Sequence, residues 1–171
     1  MAIRSILGVS AGWFAWSLAE YVSHRWVMHA GRGTSPLADE HMDHHGDPSA
    51  TVPLAPDVHN LGYKGAALVL TSVAVAPSFG VGFTGGYAVY TYLHDRMHHR
   101  PPRSALARLL WRHHYRHHFG RPGQNLAVTN PCWDVVFGTR SADGTPIKVP
   151  AARAPSWLGP TMPEVEGFIV Q

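Results

Sequence analysis

One cysteine, Cys132, is all the thiol chemistry in the 171 residues. It cannot close an intrachain disulfide, so nothing points to an oxidising compartment, and it cannot supply the cysteine cluster of a structural zinc site. Alone, it reads as a small buried hydrophobe. Acidic residues are also scarce, with 11 Asp and Glu in total. Few of them lie near the histidines at ligand spacing, which separates the chain from carboxylate-rich di-iron bundles. Charged residues make up only 15% of the sequence and the net charge is a modest +3. No repeat of fixed period is present. No small-x-small cleavage pattern follows the first apolar run, so that run reads as a retained helix rather than a signal peptide.

What the chain does have is apolar runs and imidazoles. Its length suggests one domain. Residues 5–19, SILGVSAGWFAWSLA, carry no charge. Allowing Glu20, the run continues to Ser23, close to the ~20 residues that cross a bilayer. A second uncharged run, residues 65–93, would be ~43 Å long as one straight helix, well beyond a ~30 Å hydrocarbon core. Pro77, Gly80, Gly82, Gly85 and Gly86 sit in its middle. The expectation is therefore a hairpin of two short arms turning near PSFGVG. Such a hairpin returns the chain to one side of the membrane. Every Lys and Arg except Arg4 then shares or borders that side, which the positive-inside rule makes cytoplasmic. Residues 46–62 and 141–171 are rich in Pro, Gly and Ala and read as loops. The chain thus divides into a domain over 1–140 and a tail over 141–171, whose Trp157, Leu158 and Phe168 are available to pack back.

Thirteen histidines are present, and all but His59 fall within residues 24–45 and 94–118. They form four groups: HRWVMH with His24 and His29; HMDHH with His41, His44 and His45; HDRMHH with His94, His98 and His99; and HHYRHH with His113, His114, His117 and His118. Residues three and four apart are neighbours on a helix face, so a single helix presents two or three of these imidazoles to one point. His24 and His29 differ by about 140 degrees around an α-helix. That pair must diverge to two metals or sit at a fraying helix end. About ten nitrogen donors exceed the needs of one transition metal, so two are expected, and imidazole suits iron, zinc, copper and nickel alike. Glu20, Asp43, Asp95 and Asp134 are candidates to orient the ligands' N–H groups. Histidines are mostly neutral at pH 7 and attract phosphate weakly, so no nucleic-acid partner is expected. The arginines among them suit anionic lipid headgroups.

With these motifs in this order, the sequence resembles the fatty acid hydroxylase and sterol desaturase superfamily of integral-membrane, metal-dependent oxygenases. The likeness covers roughly residues 20–139. EYVSHRWVMH is similar to the superfamily's H-x-x-x-x-H motif, and HMDHH and HYRHHF to its two H-x-x-H-H motifs. YTYLHDRMHHRPP is similar to the fatty acid 2-hydroxylase pattern, and NLAVTNPCWDVVFGT to the segment that closes the catalytic domain. The resemblance implies an all-α, integral-membrane helical domain with a cytoplasmic, histidine-rich, di-metal helical cap. It implies metals, iron first and zinc as the other option, held by His24, His29, His41, His44, His45, His94, His98, His114, His117 and His118. His99 and His113 are left as extras, register alternatives or outer-layer groups. In the H-x-x-x-x-H register of bacterial carotenoid hydroxylases, His94 pairs with His99 instead. The implied activity is O2-dependent hydroxylation or desaturation of a fatty acyl, sterol-like or carotenoid lipid. No haem carrier domain is fused to the chain, so electrons are expected from a separate protein. A zinc-dependent or metal-handling membrane protein without redox turnover is the rival from another class.

Overall fold

The computed structural model describes residues 2–48, 70, 76–141, 144–159 and 167–171. His59, the loop over residues 49–62 and nearly all of the expected first arm of the hairpin lie outside the described residues. Helix α1, Ala2–Val22, runs directly into a π-helical segment, Ser23–His29. Helix α2, Pro36–Gly46, starts with Ser35 accepting a hydrogen bond from the Ala38 amide and with proline in its first turn, where a missing N–H costs nothing. Helices α3, Pro77–His99, and α4, Ala105–Phe119, follow, and Ser104 caps α4 by accepting from the Ala107 amide. A short helix α5, Cys132–Val136, precedes two strands, β1 (Ile147–Val149) and β2 (Phe168–Val170), which pair in parallel.

The expected turn near PSFGVG does not occur, because α3 is one unbroken helix from Pro77. Its proline sits at the start, where it is tolerated, and its glycines serve an approach rather than a break. A methyl group on Gly82 would lie 2.8 Å from the Val9 carbonyl carbon, one on Gly86 would lie 2.6 Å from the Trp16 ring, and one on Gly12 would lie 2.8 Å from the Phe83 amide. The order of these contacts along both helices makes α1 and α3 parallel neighbours. Trp16 closes the lower half of the pair against Phe83 and Tyr87, with ring centroids 5.3 and 5.0 Å away. Each interior glycine costs ~1 kcal/mol of helix propensity. Backbone contact over several turns offsets it. Both C-termini, and the histidines on them, therefore emerge at the same end.

The expected bilayer-crossing helix over residues 5–19 finds no support: among the described residues no helix is long and apolar enough to cross a membrane. Serines and glycines dilute α1, and the last turns of α3 are histidine, aspartate and arginine. The tail is more than loop. Ile147, Val149, Trp157, Leu158 and Phe168 are buried in the same core as Met97, Leu110, Trp111 and Tyr115, and the Trp157 indole donates to the Met97 carbonyl at 3.2 Å. A small parallel sheet is thus added to the all-helical expectation. Cys132, expected buried, is exposed at the start of α5.

Candidate metal centre

Ten imidazoles gather into two groups. His24, His29, His41, His45 and His117 form one, and His44, His94, His98, His114 and His118 the other; within each, the ligand-type nitrogens all lie within 4.8 Å of one another. The two groups are neighbours because α2 and α4 each split a histidine dipeptide between them. Adjacent helical residues point ~100 degrees apart, so His44 and His45 face different groups, as do His118 and His117. The His45 and His118 rings stack across the divide at 4.3 Å.

His24 and His29 neither diverge nor fray. Residues 23–29 are π-helical, and i→i+5 hydrogen bonding places residues five apart over one another. Their Nε2 atoms approach to 3.3 Å. The α-helical arithmetic failed because the backbone changes its winding at the point where an H-x-x-x-x-H pair must converge.

The nitrogen geometry fits a cation. His24 Nδ1 bonds to the Leu126 carbonyl and His117 Nδ1 to the Gln124 carbonyl, the latter at 3.0 Å. A carbonyl only accepts, so both rings carry their proton on Nδ1 and turn a bare Nε2 inward. Six Nε2–Nε2 contacts of 3.0–3.3 Å fill the first group. At most three imidazoles, His29, His41 and His45, can carry an Nε2 proton, so at most three of those contacts can be hydrogen bonds. With every ring protonated on Nδ1, a central cation would satisfy all five Nε2 lone pairs at once, and imidazole suits iron, zinc, copper and nickel alike. In the second group His114 Nε2 lies 2.8 Å from His98 Nε2 and 3.1 Å from His118 Nε2.

Burial, reinforced in most cases by neighbouring imidazoles, pushes all ten histidines below the ordinary imidazole pKa, His44 to about 4 and His45 to about 3. They are neutral at pH 7, the form that binds metal. The linkage has a definite sign: below the unfolded pKa of ~6.5 the unfolded chain binds more protons than the native one, so stability falls with pH. Above pH 7 we expect these imidazoles to add no pH dependence to the stability of the metal-free protein. It should then lose up to ~1.4 kcal/mol per pH unit for each such imidazole as pH drops from 6.5 toward 3. Thermal melts across that range test this, and a melting temperature flat down to pH 5 contradicts it.

None of the four candidate carboxylates touches a histidine of either group through a described contact. Asp43 is exposed. Asp95 lies 3.2 Å from His99, and His99 stands outside both groups while His98 is inside. Glu20 accepts from the Val128 amide at 2.6 Å, the Thr129 amide at 3.1 Å and the Thr129 hydroxyl. Burial pushes the Glu20 carboxyl up to about 7, against the opposing pull of those bonds. Asp134 accepts from the Leu126 and Ala127 amides, the Thr139 hydroxyl and His113 at 2.7–2.9 Å. Desolvation raises its pKa, but the bonds from His113, Thr139 and Ala127 outweigh it and hold the carboxyl below the ordinary value. His113 is thus a buried partner of Asp134, neither a surface residue nor a member of either group. The groups that orient His24 and His117 are backbone carbonyls. No side-chain identity announces a carbonyl, so sequence reasoning missed them; the only signal was the NLAVTNPCWDVVFGT segment that carries one of them.

A helical scaffold that converges ten imidazoles into two adjacent five-nitrogen groups defines a histidine-rich protein whose clusters can hold metal ions. The fatty acid hydroxylase family profile matches residues 9–139, and the chain belongs to that family. It is 29% identical over 149 residues to dihydroceramide fatty acyl 2-hydroxylase FAH1 of Arabidopsis thaliana, covering 82% of this chain and 63% of that protein. It is 27% identical over 154 residues to fatty acid 2-hydroxylase of Homo sapiens, covering 80% of this chain and 40% of the relative. The chain thus spans less than two thirds of these relatives. The solved structure of full-length scs7p, in which only the hydroxylase domain is visible, superposes with a TM-score of 0.66 at 26% identity, covering 85% of this chain and 59% of that one.

Proposed function

We propose that this chain is the metal-holding core of an O2-dependent hydroxylase acting on a C–H bond of a fatty acyl chain in a membrane lipid. The observation that carries the reading is the pair of adjacent five-imidazole groups at the common end of the parallel helices α1 and α3. Two metal ions, iron in our assignment with zinc the alternative, supply O2 activation there, with electrons from a separate donor protein. The imidazoles hold and orient the metals, and as neutral ligands they leave the cations' charge uncancelled. No carboxylate among the described residues belongs to either group, so placement of the acyl chain, rather than side-chain acid–base chemistry, selects the carbon. The names of the relatives point to 2-hydroxylation of ceramide-type acyl chains. The exclusion of His99 from the second group supports this branch over the carotenoid register.

Lipid contact is supported by α1, whose Ile3, Ile6, Leu7 and Phe14 are 57–73% exposed. A groove of about 560 Å³ is lined by Arg108, Arg112, Arg116 and Arg140 beside Leu109 and Val135. Guanidinium groups next to exposed aliphatic side chains suit anionic headgroups, which supports our reading of a metal centre at the cytoplasmic face of a membrane.

The test is direct. Purified protein loaded with iron, given a chemical reductant, 18O2 and ceramide-containing vesicles, should yield 2-hydroxyacyl lipid carrying one 18O atom. Full metallation without O2 consumption or labelled lipid would favour the non-redox alternative and overturn the hydroxylase reading. An alkene product would convert it to a desaturase.

A further inference from the structure

The segment that orients His24 and His117 has no regular secondary structure, yet its carbonyls must stay fixed within a fraction of an ångström. Four consecutive amides hold it. Leu126 and Ala127 donate to Asp134 at 2.8 and 2.9 Å, and Val128 and Thr129 donate to Glu20 at 2.6 and 3.1 Å. Asp134 comes from α5 and is fully buried; Glu20 comes from α1, four residues before His24, and is 5% exposed. Asn125 completes the turn in the left-handed region, with φ 54°. Asparagine tolerates that conformation better than most residues. Its amide donates to the Thr139 carbonyl at 2.9 Å. With its amides captured on one side, the segment presents the Gln124 and Leu126 carbonyls on the other.

Three rings of the second group lack such partners among the described residues. His98, His114 and His118 are each at most 9% exposed, and their Nδ1 atoms have no hydrogen-bond partner among the described residues. No donor or acceptor fixes these rings from the Nδ1 side. A ligand histidine ordinarily donates its second N–H, and losing that partner typically costs ~10 to 100-fold in metal affinity.

We propose that Asp134 and Glu20 are positioning residues for one metal only, the one held by His24, His29, His41, His45 and His117, acting through the Leu126 and Gln124 carbonyls, and that this metal is bound at least ~10-fold more tightly than its neighbour. The inference rests on the two-metal reading above.

Zinc serves as the probe, since its release is independent of oxidation. Protein reconstituted with Zn2+ and challenged with excess EDTA should release two equivalents in two phases. His118→Ala should retain the slow phase and His117→Ala only the fast one. Asp134→Asn puts an N–H2 where an amide must donate. It should speed the slow phase by ~10 to 100-fold and leave the fast phase unchanged. Thr129→Val removes only one hydroxyl bond to Glu20 and should move the same phase in the same direction by a smaller factor, which keeps the test available if Asp134→Asn does not fold. A merely structural role would accelerate both phases alike, and that result would overturn the proposal. So would a single phase in the wild type. Fewer than two equivalents in the wild type would overturn the two-metal reading and the inference with it.

Discussion

His117→Ala and His118→Ala proteins, purified and dialysed, should each hold one metal ion in place of two, lose different ions, and fail to hydroxylate lipid. The two residues are adjacent on α4, so a substitution acting through general damage to the helix would affect both groups together. The geometry separates them. His117 Nε2 lies 3.0 Å from both His29 and His45, whereas His118 Nε2 lies 3.1 Å from His114. Removing a nitrogen donor itself should exceed the ~10 to 100-fold cost of disturbing a ligand's outer partner. Metal content with site-selective exchange, read beside product formation, is the measurement. Equal loss of both ions in either variant, or full activity in one, would refute the division into two five-nitrogen groups.

Gly12→Val should unfold the helix pair or leave it destabilised by ~3 kcal/mol or more. A methyl at that position meets the Phe79 carbonyl, with its carbon at 2.9 Å and the Phe83 amide at 2.8 Å. These are backbone atoms with no rotamer to yield. Because His24 and His29 lie beyond the end of α1 and His94 and His98 at the end of α3, separating the helices should also cost both groups their metal. Gly85→Ala is the internal control. It lies on the partner helix α3, nothing among the described residues stands within 4 Å of the added methyl, and better helix propensity should make it neutral or stabilising by up to ~1 kcal/mol. Chemical denaturation of the two variants side by side decides the matter. Equal stability would mean that the glycine contacts do not hold α1 against α3.

Much of the centre was legible because helical spacing is local. In HMDHH and HHYRHH, the i, i+3, i+4 pattern and the ~100-degree turn between neighbours are properties of the winding itself. The assignment of His98 rather than His99 follows from the same arithmetic with His94. Where the winding changes, the arithmetic misleads: His24 and His29 meet only because residues 23–29 are π-helical. The glycines of α3 were misread for a related reason. Their cost to an isolated helix is local, but their benefit exists only against α1.

The sequence by itself determined which residues are candidates to hold metal, how many imidazoles are available, and which of them share a helical face, since residue type and local periodicity settle those questions. It did not determine which imidazoles belong to which group across helices, nor that Asp134 and Glu20 accept from four consecutive amides of one loop. Those were decided by tertiary structure. The partners lie far apart in the chain, with His24 meeting Leu126 and Glu20 meeting Val128. A backbone carbonyl or amide, common to nearly every residue, becomes specific only through where the fold places it.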